Sequence, residues 1–417
     1  MSRSLAALTL SLAVTTAACA AVFGFERLSD GRVDGGTDAA TESAPSDPTG
    51  CSELGIRERP SADQVGRPLV DGGAAGAAFD FFFAARSFDL GNAKRTFNLD
   101  GVCTLSAETA SCANPRRAPA PDKDGGGDTT GDEFAQALAL VYPGFTHTTA
   151  IQEGQFGLLF SLQGWNGTED DDLVFVRSYP ALGLWRRLAD GGLEPSGPPE
   201  SLSTIVRPTG QWDDHWMLDA YFRDLADVSL LSDRAWVRGG QLAAHFPSTR
   251  APVRNPGDLR QVDVVLRDAW IVADLAAGDG DAGHGAPVLR NLVLTGRWSA
   301  ADILRETSNS YLKAPVAEIG KAHICTPRAY AIQQAFWDAV CKAADIRESA
   351  GDDRRGLPCD ALSAAISIET YPVASIGDYF DQSARLADAG ELSREARCKD
   401  VGDWVSDAGC NEPPPRR

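Results

Sequence analysis

The chain is poor in basic residues and has no long internal apolar run. Among 417 residues, 39 are basic and 58 are acidic, which gives a formal net charge of −19. Nucleic acids and anionic lipids attract stripes of Lys and Arg, so this balance argues against both as charge-driven partners. Beyond the N-terminus no segment approaches the ~18 consecutive apolar residues of a membrane span, so the sequence predicts no transmembrane helix.

Recognisable catalytic motifs are missing as well. The sequence contains neither G-x-S-x-G nor H-E-x-x-H, and histidine occurs five times. The nine cysteines lack the C-x-x-C spacing of zinc sites. Hydrophobic residues make up 43% of the chain, so a globular core can form. These absences leave the question of catalysis open, and they favour a binding or structural role.

Residues 1–18 have the pattern of an export signal. Arg3 supplies a positive charge, Leu5 to Val14 is apolar, and small alanines follow. The apolar stretch is shorter than the ~20 residues that cross a bilayer. We therefore expect an exported protein.

Two cleavage sites compete at the end of this signal. The tetrapeptide that runs from Thr16 to Cys19 resembles the lipobox of bacterial lipoproteins, although Thr16 replaces the usual Leu. The small residues around Cys19 also fit ordinary cleavage, which would discard Cys19 and give a secreted protein. Residues 19–50 are rich in Gly, Asp, Ala, Ser, Thr and Pro, and they predict a disordered tether. A tether favours a protein of the cell envelope that is lipidated at Cys19 and anchored to a bacterial membrane.

Cysteines in an exported chain predict disulfide bonds. Eight remain once Cys19 is used, and short sequence separations favour neighbouring partners. A helix predicted over Pro327–Ala344 would hold the cysteines at its two ends roughly 24 Å apart, too far for a bond. The last pair follows by elimination. The predicted pairs are Cys103–Cys112, Cys398–Cys410, Cys341–Cys359 and Cys51–Cys325.

A period of two dominates the sequence between Phe79 and Trp298. Turn signals at Asn166-Gly167 and Gly239-Gly240 predict β-hairpins between apolar segments. Short strands separated by Gly, Pro and Asp predict a mainly β fold, an antiparallel β-sandwich or a partly open barrel. We expect this body to occupy residues 51–298.

The pattern changes after Ser299, where helical periodicity becomes more frequent. Helices are predicted over Ala300–Tyr311, Pro327–Ala344 and Asp360–Ile368. Residues 299–417 are therefore expected to form a helix-rich C-terminal segment that disulfides tie to the body.

Two short motifs carry a resemblance. Asp100 to Thr104, which precedes a Gly/Asp-rich loop, and Pro358 to Ser363 resemble segments of uncharacterised bacterial surface lipoproteins. The resemblance implies a location in the cell envelope and implies no activity. At the level of fold, the β-rich body with its acidic loop is similar to concanavalin-type sandwich domains, which often bind glycans beside calcium.

The segment Asp122–Glu133 is a candidate calcium loop. With Asp122 as position 1, its oxygen ligands follow the spacing of an EF-hand, with a turn glycine at position 6. Gly126 offers no side-chain ligand at position 5, and the Pro-rich segment before the loop cannot form the incoming helix. A solvated acidic loop is the alternative. The predicted ligands are Asp122, Asp124, Asp128, Thr130 and Glu133.

His215 stands in a cluster that could bind a ligand or carry chemistry. Asp213 precedes it closely, and Trp212 and Trp216 flank the pair. Such a cluster suits a general base with an orienting carboxylate, or an aromatic patch that stacks on sugars. The alternative is a turn whose tryptophans pack into the core. If these residues share an open groove with Trp165 and Trp185, glycan handling is favoured.

The sequence therefore favours a surface-anchored, non-enzymatic lipoprotein with a binding or structural role. Glycans are the expected ligands, with calcium as the expected cofactor. The alternative is a secreted hydrolase that acts on polysaccharides, with His215 and Asp213 in its cleft.

Overall fold

The computed structural model describes residues 55–61, 79–90, 97–102, 104, 110–114, 116, 147–154, 156–195, 206–220, 230–254, 261–276, 286–308, 330–353, 357–380 and 409–411. The predicted signal peptide, the tether with Cys19, and the calcium loop Asp122–Glu133 lie outside these residues. Of the helices in the described ranges, none has the length and apolar character that a membrane span requires.

Strands account for most of the described secondary structure. In β2, for example, Leu158, Phe160 and Leu162 are buried on one side of the strand, as the period of two requires. The eleven strands are β1 (Phe79–Leu90), β2 (Gly157–Trp165), β3 (Phe175–Arg187), β4 (Leu193–Pro195), β5 (Trp216–Asp219), β6 (Arg234–Arg238), β7 (Gln241–Arg254), β8 (Gln261–Ala276), β9 (Val288–Ser299), β10 (Ala361–Val373) and β11 (Tyr379–Phe380).

Within the described residues, three helices accompany the strands: α1 (His147–Gln152), α2 (Ala300–Ser308) and α3 (Tyr330–Ala343). Helix α2 follows β9 directly, and the Ser299 hydroxyl accepts a long hydrogen bond from the backbone N–H of Asp302 at 3.5 Å. At the end of α3, the Asn114 amide donates to the carbonyls of Cys341 and Ala344, at 3.0 and 2.7 Å. These bonds satisfy carbonyls that a helix end leaves unpaired. Short 3₁₀ turns occur at Ala350–Asp352 and Gly409–Asn411.

The strands form one sheet in the order β11-β5-β3-β2-β1-β10-β9-β8-β7-β6, with β4 paired to β3. Its last strand also bonds back to the segment around the start of β3. Asp171 and Val237 exchange two backbone hydrogen bonds of 2.8 Å, and Ser178 N donates to Leu230 O at 2.9 Å. Eight antiparallel strands, β1 to β3 and β6 to β10, therefore form a closed ring, and β5 and β11 extend the sheet beside the second half of β3.

The main core fills the inside of this ring. Phe83 of β1, Phe160 of β2 and Trp298 of β9 belong to it, and each is at most 1% exposed. Ile303 of α2 and Phe336 of α3 join the same core, so the two helices pack at the end of the ring where β9 stops and β10 starts. Two smaller clusters cover the outer face, one around Trp270 and Trp236 and one around Trp216 and Tyr371.

The mainly β fold class is confirmed, and the two hairpins are found where the turn signals place them. The described strands belong to one sheet, so the predicted sandwich of two stacked sheets is not confirmed. The partly open barrel, which the sequence offered as the alternative, also consists of a single curved sheet. The helix predicted over Asp360–Ile368 is wrong. This segment is strand β10, which lies between β9 and β1 because Leu362, Ile366 and Ile368 face the inner core.

The structure also changes the disulfide pairing. Cys112 is bonded to Cys359 and Cys341 to Cys410, with Cα separations of 5.1 and 5.4 Å. The predicted pairs Cys103–Cys112, Cys341–Cys359 and Cys398–Cys410 are therefore wrong, because each needs a cysteine that is bonded elsewhere. Cys51, Cys103, Cys325 and Cys398 lie outside the described residues.

Backbone pairing explains the new partners better than sequence distance does. Ala113 forms a parallel bridge with Pro358: its N–H donates to Leu357 O at 2.7 Å, and Cys359 N–H donates to Ala113 O at 3.0 Å. This bridge brings Cys112 next to Cys359. On α3, the Trp337 indole donates to Gly409 O at 3.0 Å, which seats Cys410 against Cys341.

Candidate functional site

The predicted aromatic patch is divided between the two ends of β2. A Cβ at Gly157, where β2 starts, would collide with the indole of Trp216. Trp165 ends the same strand, eight residues later. At a rise of ~3.3 Å per residue, these positions are about 26 Å apart. Trp165 and Trp216 therefore do not line one groove.

Trp216 is a core residue. It is 0% exposed, and its indole N–H donates to the Tyr371 hydroxyl at 3.2 Å. Tyr371 in turn donates to Asp214 Oδ2 at 2.7 Å, and the same carboxylate accepts from the backbone N–H groups of Thr209 and Gly210. Burial and the hydrogen bond to Asp214 raise the pKa of Tyr371 far above its usual value. This chain of bonds fixes the loop before β5.

The other predicted ligand residues remain at or near the surface. Trp165 is half-buried, packs edge-to-face on Phe81 with centroids 5.9 Å apart, and donates to Thr168 O at 2.9 Å. Trp212 is half-buried and Asp213 is exposed. Within the described residues, no hydrogen bond joins Asp213 to His215, so the predicted base with its orienting carboxylate is not brought together.

Trp185 stands directly beside His215 in the sheet extension. The backbone N–H of Trp185 donates to His215 O at 2.9 Å, so the two side chains leave neighbouring antiparallel strands on the same face. The Trp185 ring also packs edge-to-face on Phe380, with centroids 5.9 Å apart. Both side chains are half-buried, and among the described residues neither Trp185 Nε1 nor His215 Nε2 has a hydrogen-bond partner. Two polar atoms on paired residues of the sheet are thus left unsatisfied.

A second histidine, His245, forms the densest charged cluster on the outer face of the ring. Its Nδ1 lies 2.6 Å from Asp233 Oδ1 and its Nε2 lies 2.8 Å from Asp268 Oδ1. The ring packs on Trp270 with centroids 4.7 Å apart. Arg297 is completely buried, lies 3.6 Å from Asp268 and pairs with Asp353 at 2.6 Å. We name Asp233, His245, Asp268, Arg297 and Asp353 the His245 cluster.

Asp268 owes its position to an irregularity in β8. The register with β9 shifts between Arg267 and Trp270, and Asp268 adopts a left-handed backbone with φ of 46°. Such a conformation is strained for residues other than glycine, although Asp tolerates it better than most. The hydrogen bond from His245 outweighs partial burial and lowers the pKa of Asp268, with the positive charges nearby adding to the effect. The strained residue is therefore held as an anion.

The His245 cluster works as a clamp. Each ring nitrogen of His245 lies within hydrogen-bond distance of a carboxylate oxygen, so both nitrogens are engaged within the fold. Neither nitrogen is left to take a proton from a substrate. Sequence reasoning missed this cluster because its members are spread over 121 positions, from Asp233 to Asp353, with no recognisable spacing. The alternation in β7 was the sequence signal that could have found it. Phe246 faces the inner core, so the preceding residue His245 must face the outer side of the sheet.

A half-buried acid, Asp345, lies behind the same face. Asp345 accepts hydrogen bonds from the backbone N–H and the hydroxyl of Ser363, at 2.8 and 2.5 Å. Burial is the main cause that raises the pKa of Asp345 to about 7, and the Ser363 bonds oppose it. Burial also raises the pKa of Asp353 against the opposing effect of Arg297. Asp345 is therefore a group whose charge changes near neutral pH.

Within the part of the chain that the structure describes, no group of three or more His, Cys, Asp or Glu side chains is arranged to hold a metal ion. Asp171 of the acidic hairpin loop instead accepts backbone bonds from Asn166 and Leu173, and burial raises its pKa. The predicted calcium ligands lie outside these residues, so that site stays a prediction.

No family model matches the chain, and neither a curated protein nor a solved structure does.

Proposed function

We propose that this chain is an exported binding protein that a lipid on Cys19 holds at a bacterial membrane. The pair of buried disulfides carries the proposal. Cys112–Cys359 joins residues 247 positions apart, and Cys341–Cys410 joins residues 69 positions apart. Such bridges form and persist in oxidising compartments outside the cytoplasm. The signal-like residues 1–18 and the resemblance to surface lipoproteins support the same address.

The arrangement of charged groups supports binding without catalysis. The charged groups of the His245 cluster contact one another, because each nitrogen of His245 faces a carboxylate and Arg297 faces Asp353. A closed ring of strands is a rigid scaffold, and ligand sites on such scaffolds are carried by loops and strand extensions. Glycans are the proposed ligands, with calcium held by the Asp122–Glu133 loop.

A second candidate is a secreted hydrolase that acts on polysaccharides. His215 favours it, because its Nε2 is not used by any hydrogen bond among the described residues. Asp213 is exposed two residues away. Release of reducing ends from polysaccharides by the wild-type protein, and loss of that release in His215→Ala, would favour this candidate over the non-enzymatic one.

Fractionation of cells that produce Cys19→Ala tests the anchor. We expect the wild-type protein in the membrane fraction and the variant either released or unprocessed, because acyl chains supply the membrane affinity. Thr16→Leu is the matched control, since it restores the usual lipobox residue and should leave the protein in the membrane fraction. Unchanged membrane association of Cys19→Ala would overturn the lipid anchor.

A further inference from the structure

Trp185 and His215 carry two unsatisfied polar atoms at one place in the fold. They lie on neighbouring strands, joined by the backbone hydrogen bond from Trp185 N to His215 O. Trp185 Nε1 and His215 Nε2 are both shielded from solvent, and neither has a hydrogen-bond partner in the part of the chain that the structure describes. A shielded donor or acceptor without a partner is costly, so native proteins leave few of them.

Other indoles of this protein find their partners inside the fold. Each donates its N–H to an oxygen at 2.9 to 3.2 Å. These pairs are Trp165 with Thr168 O, Trp216 with the Tyr371 hydroxyl, Trp236 with Arg57 O, and Trp337 with Gly409 O. Trp185 Nε1 has no such partner among the described residues, and its side chain keeps part of its surface exposed. A partner from outside the chain can therefore approach this indole.

The two atoms define the chemistry of that partner. An indole N–H donates and never accepts, whereas imidazole Nε2 accepts or donates according to the tautomer. A hydroxyl group satisfies both, since it accepts from the indole and exchanges a second bond with the imidazole. A purely accepting anion matches this pair less well, and the net charge of −19 disfavours anions in general.

The surroundings suit a sugar. The Trp185 ring is braced edge-to-face by Phe380, and both Trp185 and His215 keep part of their surface exposed. A ligand meets these exposed edges, and a change of side-chain torsion completes the hydrogen bonds. We propose that Trp185 and His215 form a subsite for a hydroxyl group of a neutral glycan, an inference that rests on the binding role proposed above.

Indole resonances of the mature full-length protein test the subsite directly. The nine tryptophans give nine N–H signals in a ¹⁵N spectrum, and Trp185→Phe identifies its own signal by removing it. The probes are chitohexaose, cellohexaose and maltohexaose at millimolar concentration. We expect one of them to shift the Trp185 signal saturably while the Trp165 and Trp216 signals stay in place. If none of the three shifts the Trp185 signal, the subsite is refuted.

Two Trp→Phe variants separate binding from folding. Trp185→Phe keeps the aromatic ring and should lower glycan affinity about tenfold, the loss of one hydrogen bond, with its Tm unchanged. Trp165→Phe is the control, since it should keep the affinity and lower the Tm by losing the bond to Thr168. Wild-type affinity in Trp185→Phe overturns the subsite. This glycan-binding test is independent of the test of the lipid anchor, because the release of Cys19→Ala from the membrane fraction is measured without any sugar.

Discussion

His245 Nε2 lies 2.8 Å from the carboxylate of Asp268, whose backbone is held in the left-handed region at φ 46°. The bulge in β8 that turns Asp268 towards the histidine also leaves Arg267 free to pair with Asp302 of α2 at 2.6 Å. One irregular position thus connects β7, β8 and the first turn of α2. The strain at Asp268 is compensated by these charge-assisted bonds.

We predict that His245→Gln destabilises the fold by about 2 kcal/mol, the usual range for losing hydrogen bonds to charged groups. Glutamine donates from one nitrogen, so either Asp233 or Asp268 loses its hydrogen bond to this side chain. Urea unfolding at neutral pH measures the change in the free energy of unfolding.

His215→Gln is the matched control for this variant. The side chain of His215 is half-buried, and its Nε2 has no hydrogen-bond partner among the described residues. The free energy of unfolding should therefore change little in His215→Gln. Equal destabilisation by the two substitutions would show that the carboxylates around His245 contribute nothing specific.

Asp345 gives the protein a predicted pH dependence. Its pKa is raised to about 7 in the folded protein from an ordinary value of 3.8. The folded state therefore binds a proton that the unfolded state releases, and stability is fully present below pH 3.8 and is lost as the pH rises towards 7. The free energy of unfolding should fall by roughly 4 kcal/mol from this group over that window.

Asp345→Asn should remove this dependence. The amide keeps an acceptor for the Ser363 N–H and gives a donor to the Ser363 hydroxyl, as a neutral carboxyl does. Chemical unfolding at several pH values between 4 and 8 should show a smaller fall for Asp345→Asn than for the wild type. Asp213→Asn, at an exposed carboxylate, should follow the wild-type profile. Parallel curves for Asp345→Asn and the wild type would contradict the raised pKa.

The sequence anticipated those features of the fold that local chemistry determines. Asn166-Gly167 and Gly239-Gly240 mark real hairpins, because turn geometry needs particular residues at particular positions. Strand β10 was missed because its alanines favour a helix, although Leu362, Ile366 and Ile368 alternate correctly for a strand. Pairing with β9 and β1 outweighs that preference. Nothing local indicates that the sheet closes, since closure depends on contacts between Asp171 and Val237.

The candidate sites were harder to predict for a related reason. The sequence places His215 between Trp212 and Trp216, whereas its neighbour across the sheet is Trp185 of β3, and the side chain of Trp216 is buried. In a strand, consecutive residues face opposite sides, so adjacency in sequence separates side chains. Contacts across strands, such as His245 with Asp268, need the register before they can be seen.

Peptide mapping without reduction should recover Cys112 linked to Cys359 and Cys341 linked to Cys410. Loss of a native bridge typically costs 2–5 kcal/mol, so Cys112→Ser with Cys359→Ser should lower the free energy of unfolding by about that amount. The double variant is the cleaner test, because it leaves no unpaired thiol. Recovery of a Cys103–Cys112 peptide would contradict the pairing described above.

Calcium should stabilise the protein if the loop Asp122–Glu133 binds it. Carboxylates at four of its positions repel one another, and a bound divalent cation relieves this repulsion. A hundredfold excess of calcium over its Kd adds about 2.7 kcal/mol to the free energy of unfolding by mass action. Extracellular sites bind at ~10⁻⁴–10⁻³ M, so the Tm is measured in millimolar calcium and in chelator.

We expect a higher Tm in calcium, and we expect Asp124→Ala and Glu133→Ala to abolish the increase. Both variants should match the wild type in chelator, since they then remove only repelling charge. A wild-type Tm that calcium leaves unchanged would make the loop an acidic connector.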